Sequence, residues 1–145
     1  MYGGSAGLWH AWPQEGVWQY EQVDTTACSN VSARLDASGR LHVAYFVTSS
    51  LDLKYAWQGG STWRITTVDA EGDVGWSCCL ALDGAGRPHI SYFSRMAALK
   101  YAWYDGTNWH IIVVDTGIGL TEYSSLALDP YGRPHISYYE YYDGD

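Results

Sequence analysis

Three histidines return with their surroundings: His42 in DASGRLH, His89 in DGAGRPH and His135 in DPYGRPH. Each lies six residues after an aspartate (Asp36, Asp83, Asp129) and two after an arginine (Arg40, Arg87, Arg133). Imidazole, carboxylate and guanidinium in one turn are the residue types for proton transfer, metal ligation or capture of an anionic group. For metal ligation the pattern is short of donors, because no second His, Cys or carboxylate stands at ligand spacing in the same turn, so no metal and no cofactor are expected. Glycoside hydrolysis needs two positioned carboxyl groups. Acids are plentiful, but the three arginines occupy equivalent turns and are not expected to converge on one substrate. No Ser–His–Asp set and no phosphate-binding loop is present. The pattern therefore assigns no catalytic residue and disfavours an enzyme.

The histidines are better explained by the segments that carry them. LKYAWQGGSTWRITTVD at 53–69 is repeated as LKYAWYDGTNWHIIVVD at 99–115, and more weakly as LWHAWPQEGVWQYEQVD at 8–24. ARLDASGRLHVAYF at 33–46, LALDGAGRPHISYF at 80–93 and LALDPYGRPHISYY at 126–139 form a second recurring set. Three copies of a unit of about 46 residues fill nearly the whole chain. Each unit reads as four short strands, A to D, rich in Val, Ile, Tyr and Trp and separated by Asp, Gly, Pro and Asn turns. No helical periodicity is sustained, so an all-β fold is expected. In D-x-x-G-R-x-H the aspartate can cap backbone amides and the glycine can take positive φ, while Pro88 and Pro134 sit at the first residue of strand B. On this reading His42, His89 and His135 recur because the turn recurs.

Four antiparallel strands at this period resemble a blade of a β-propeller. The hairpin LALDPYGRPHISYY is similar to the A–B hairpin of many propeller repeats. It resembles, more loosely, the Asp-box of sialidase-type propellers, from which it departs by carrying His where that pattern has Trp. The resemblance implies an architecture of four-stranded blades. The phase is CD, ABCD, ABCD, AB, with a half-blade at 8–24, blades at 31–69 and 77–115, and a half-blade at 123–142. Three blades' worth of strands fall below the ~4–8 from which rings are built. Open strand edges are an aggregation liability. Pairing strands A and B of one copy with C and D of another makes a six-bladed homodimer, preferred to a nine-bladed trimer or to a piece of a longer multi-blade protein. Bacterial propeller lectins that build six blades by trimerising two-repeat chains resemble this mode of assembly.

The rim carrying the A–B and C–D turns is uniform between copies, whereas the B–C and D–A loops differ, and variable loops on a rigid scaffold are where binding usually resides. Asp73, Trp76, Arg95, Glu122 and Tyr123 on that variable rim are the first candidate ligand residues. Trp12, Trp57 and Trp103, one per unit, form the second set. Aromatic faces beside planar polar groups suit sugars, so a non-catalytic, lectin-like carbohydrate-binding protein is the leading expectation. A protein-interaction scaffold is the alternative, and a sialidase-like glycoside hydrolase comes third. The formal charge of −8 makes nucleic acid and anionic membranes poor partners. No apolar run approaches ~20 residues. Cys28, Cys78 and Cys79 suggest no disulfide framework. With no recognisable signal peptide, a cytoplasmic location is expected.

Overall fold

The computed structural model describes residues 6–96, 98–116 and 123–139. Among them are twelve strands: β1 (Leu8–Gln14), β2 (Val17–Asp24), β3 (Cys28–Leu35), β4 (Leu41–Val47), β5 (Asp52–Gln58), β6 (Trp63–Asp69), β7 (Val74–Leu82), β8 (Pro88–Ser94), β9 (Ala98–Tyr104), β10 (Trp109–Thr116), β11 (Ser124–Leu128) and β12 (Pro134–Tyr138). They form four antiparallel sheets: β1-β2, β3-β4-β5-β6, β7-β8-β9-β10 and β11-β12. The all-β expectation holds, and each four-stranded sheet is a blade-like meander of one repeat. None of the described residues forms a helix long and apolar enough to cross a membrane.

The recurring hairpin is built as its residue types dictate. Asp83 Oδ1 accepts from the amides of Ala85 and Arg87, each at 2.9 Å, and Oδ2 accepts from Arg87 Nε at 2.7 Å. Gly86 turns the chain at φ 76°, and Pro88 opens β8 where no ladder donor is needed. Asp36 and Asp129 make the same contacts in their turns. Strands β3 and β7 start three residues before the unit boundaries at 31 and 77. Bulges between Ser29 and Ser32 and between Trp76 and Cys79, with Asn30 and Ser77 at positive φ, carry the pairing across the irregularity.

The core lies between sheets. Ala44, Leu53, Tyr55 and Val68 of the β3–β6 sheet bury against Cys78, Leu80, Ile90 and Tyr92 of the next. Leu8 packs on Val43, Tyr45 and Ala56 across the preceding seam. Each seam is also closed by a polar clasp. Asp69, at the end of β6, accepts from Tyr92 Oη at 2.7 Å and Lys100 Nζ at 2.6 Å. Asp24 takes Tyr45 at 2.7 Å and Lys54 at 3.5 Å in the same way, and Asp115 accepts from Tyr138. The cysteines are free thiols. Cys78 donates to the Asn30 carbonyl at 2.7 Å, and burial pushes its pKa up to about 12, so it packs as an inert thiol.

Candidate functional site

On the uniform rim, neighbouring sheets leave a pocket of about 450 Å³ lined by Arg40, His42, Tyr55, Trp57 and Thr66 of one sheet and Gly86, Arg87, Pro88, Tyr104, Thr107 and Trp109 of the next. Its floor is rigid. His42 Nδ1 bonds the Tyr55 hydroxyl and its Nε2 lies 3.3 Å from Asp36 Oδ2. Asp36 fixes the tautomer: Nε2–H donates to the carboxylate, and Nδ1 is left to accept from Tyr55. Burial, only partly offset by Asp36, holds His42 below its ordinary pKa, so the imidazole is neutral. His89 repeats the arrangement with Tyr101 at 2.5 Å, and burial lowers it likewise against the opposing pull of Asp83. These histidines hold strand C to the A–B turn, as expected from the recurrence of the turn.

The walls are aromatic. Trp57 stacks on Tyr55 at 5.3 Å, and Trp109 meets the edge of Tyr55 at 5.5 Å and Tyr104 at 5.6 Å. Arg40 uses Nε on Asp36 and Arg87 uses Nε on Asp83, which places both guanidiniums at the mouth. Among the described residues the indole nitrogens of Trp57 and Trp109 and the hydroxyl of Tyr104 make no hydrogen bond, so the pocket offers several uncommitted donors beside flat apolar faces. No carboxylate lines it. Among the described residues no group of three His, Cys, Asp or Glu side chains is arranged to hold a metal ion.

Of the variable-rim candidates, Asp73, Trp76 and Arg95 do come together, but on one another. Trp76 Nε1 donates to Asp73 Oδ1 at 2.6 Å, Arg95 Nε lies 3.5 Å from Asp73 Oδ2, and the guanidinium stands 4.6 Å over the indole. Trp76 also meets Phe46 at 4.6 Å across the seam and packs on the cluster of Phe93 and Leu99. Tyr123 is exposed, and Glu122 lies outside the described residues. The second set is half-buried: Trp12 stacks on His10 at 4.7 Å, and Trp103 lies between Tyr101 and His110 at 5.3 and 5.0 Å. Only Trp57 of all these lines the pocket just described. Tyr104 and Trp109 are pocket residues outside both candidate sets, the signal for Trp109 being the uniform G-x-x-W element, and Arg40 and Arg87, whose turns were not expected to converge, line one pocket.

Comparison with known proteins adds fold and no family. No protein-family model matches the sequence, and no curated protein matches it. Among solved structures, a fucose lectin from Kordia zhangzhouensis in complex with methyl-fucoside is similar at TM-score 0.56 and 20% identity, over 78% of this chain and 85% of that one. The intramolecular trans-sialidase from Ruminococcus gnavus, in complex with oseltamivir carboxylate, is similar at TM-score 0.55 and 18% identity, over 94% of this chain and 34% of that one. The chain thus spans about a third of the trans-sialidase. At these identities the likeness is one of fold: propeller-type, all-β sheets.

Proposed function

We propose that this chain is a non-catalytic carbohydrate-binding protein whose ligand sits in the seam pocket between Trp57 and Trp109. The observation that carries the reading is the pairing of aromatic walls with uncommitted N–H and O–H donors in a cavity of about 450 Å³, a size suited to one or two sugar rings. A sugar stacks its C–H face on an indole and spends its hydroxyls on such donors. The similar fold of a lectin that binds methyl-fucoside makes that glycoside the first probe. Hydrolysis is the weaker reading, because a pocket without a lining carboxylate has neither the acid nor the nucleophile of the usual glycosidase pair. Ring closure into a six-bladed homodimer, a proposal independent of the ligand, would repeat the seam around the assembly.

The test is a glycan array followed by titration calorimetry with the best glycan and with methyl-fucoside, on the unaltered protein, Trp57→Ala and Trp76→Ala. Loss of binding in Trp57→Ala alone is expected. Absence of binding to any glycan, or loss only in Trp76→Ala, overturns the assignment.

A further inference from the structure

The two half-sheets complement each other strand for strand. β1-β2 supplies strands C and D, β11-β12 supplies A and B, and among the described residues β1 pairs only with β2 and β12 only with β11. Residues equivalent to buried ones stand open along these edges. Val31 of β3 is 52% exposed where its counterpart Cys78 is 8%, and Val114 of β10 is 44% exposed where Val68 is 7%. Beside β1 and β3 runs an apolar trough of about 620 Å³ lined by Leu8, Ala11, Val31, Ala33, Leu35 and Val43. In the complete seam the space facing Leu80 and Ile90 is filled by strands A and B of the β3–β6 sheet, where Ser32 Oγ accepts from the Leu80 amide at 3.0 Å and Ala44 packs in one cluster with Leu80 and Ile90; the counterparts of Ser32 and Ala44 in the half-sheet are Ser125 and Ser137.

The half-sheets also match in charge. Glu21 occupies the position of Thr66, which lines the seam pocket together with Arg40 and His42. The counterparts of Arg40 and His42 on β11-β12 are Arg133 and His135. Glu21 Oε1 accepts from His10 Nδ1 and Trp63 Nε1, each at 2.9 Å, which holds the carboxylate toward the open edge of β1.

We infer that a second copy of this chain is the occupant of the trough: its β12 pairs antiparallel with β1, and its Arg133 and His135 complete a seam pocket around Trp12, His10 and Glu21. The β8-β9 ladder sets the register. There His89 faces Trp103, Ile90 faces Ala102 and Ser91 faces Tyr101, so the partner's His135 faces Trp12, the partner's Ile136 faces Ala11 and the partner's Ser137 faces His10. The composite pocket differs in chemistry from the one at Trp57. His10 replaces the tyrosine of strand C, and a carboxylate replaces a hydroxyl, so it presents an acceptor where the intrachain pocket presents donors. As a ligand site it rests on the carbohydrate-binding reading; as an interface it does not.

The test combines mass and register. Light scattering on a sizing column is expected to give twice the chain's 16.2 kDa, and a monomer mass overturns the inference. For register, a His10→Cys copy is mixed with a Ser137→Cys copy and oxidised, in parallel with an Ala11→Cys copy mixed with the same Ser137→Cys copy and with unaltered protein. A reducible heterodimer in the first mixture only is expected, since a one-residue shift turns the side chains to opposite faces. Bridging only in the second mixture, or in neither, overturns the register even where the mass is dimeric. Calorimetry with methyl-fucoside on Trp57→Ala reads the intrachain pocket separately, so a failure of the sugar reading and a failure of the interface give different results.

Discussion

Tyr92 Oη donates to Asp69 Oδ2 at 2.7 Å across the seam between two sheets, and Lys100 Nζ reaches the same oxygen at 2.6 Å. Burial raises the Asp69 carboxyl, but Lys100, the Glu71 amide and Tyr92 outweigh it and the net shift is downward. Because Asp69 is buried and the Lys100 side chain is only 12% exposed, removing the aspartate leaves a largely desolvated lysine without its partner. Asp69→Ala is expected to cost about 3 kcal/mol, and Tyr92→Phe about 1–2 kcal/mol because Lys100 still pairs the carboxylate. Urea unfolding of the two variants checks the order; equal costs would refute it.

The buried histidines predict a pH dependence near neutrality. Burial holds His42 and His89 below their unfolded pKa of about 6.5. The unfolded chain therefore takes up protons first as pH falls. Their contribution to stability is complete above that pKa and is lost as pH drops through 6.5 toward the folded values. Thermal unfolding between pH 7.5 and 5 is expected to show Tm falling with pH, with a shallower fall in His89→Gln. An unchanged slope in that variant would exclude His89 as a source.

A second, more acidic transition follows from the carboxylates. Asp24 and Asp69 both sit below their ordinary values, burial being outweighed by their hydrogen bonds and lysines. Their stabilisation is present above the unfolded pKa of about 3.9 and disappears as pH falls through the folded values. Asp69→Asn is expected to flatten the stability profile below pH 4 while lowering stability at pH 7.

Gly75 is a seam residue of a different kind. Its φ is 107°, and a Cβ there would lie 3.1 Å from both Cα and Cβ of Leu53 in the neighbouring sheet. Gly75→Ala combines backbone strain with overpacking and is expected to cost about 2–4 kcal/mol. Gly84, with open space around it and no positive φ, serves as the control, and Gly84→Ala is expected to be near neutral. Comparable denaturant midpoints for the two would remove the packing argument.

In the seam pocket, Tyr104→Phe keeps the wall and removes one donor. Glycan affinity is expected to fall about tenfold, corresponding to about 1.4 kcal/mol, with stability unchanged. Calorimetry on this variant separates hydrogen bonding from stacking, which Trp57→Ala tests.

What could be read from the sequence was what is local. The Asp83-to-Arg87 turn closes within five residues, so its residue types suffice to predict it. The strand phase followed from the repeat for the same reason. The clasp was in plain view as the Lys of LKYAW and the Asp that ends strand D, but Asp69 and Lys100 are 31 residues apart and their pairing appears only when one unit is laid on the next. The pocket shares that origin. Arg40 and Trp109 belong to elements that recur because they are scaffold, and their juxtaposition creates a cavity that neither unit contains. Conversely, Asp73, Trp76 and Arg95 have the chemistry of a sugar site, yet they satisfy one another.

The clasp places the outer aspartates Asp24 and Asp69 under the control of the following sheet's Tyr and Lys, so a repeat is coupled chiefly to its neighbours. Chains built this way behave as one-dimensional arrays in which stability is a sum of unit terms and nearest-neighbour terms. Weakening the seam at Asp69 should then divide the molecule into two cooperative halves that melt at different temperatures, whereas an equal loss inside one sheet would lower a single transition.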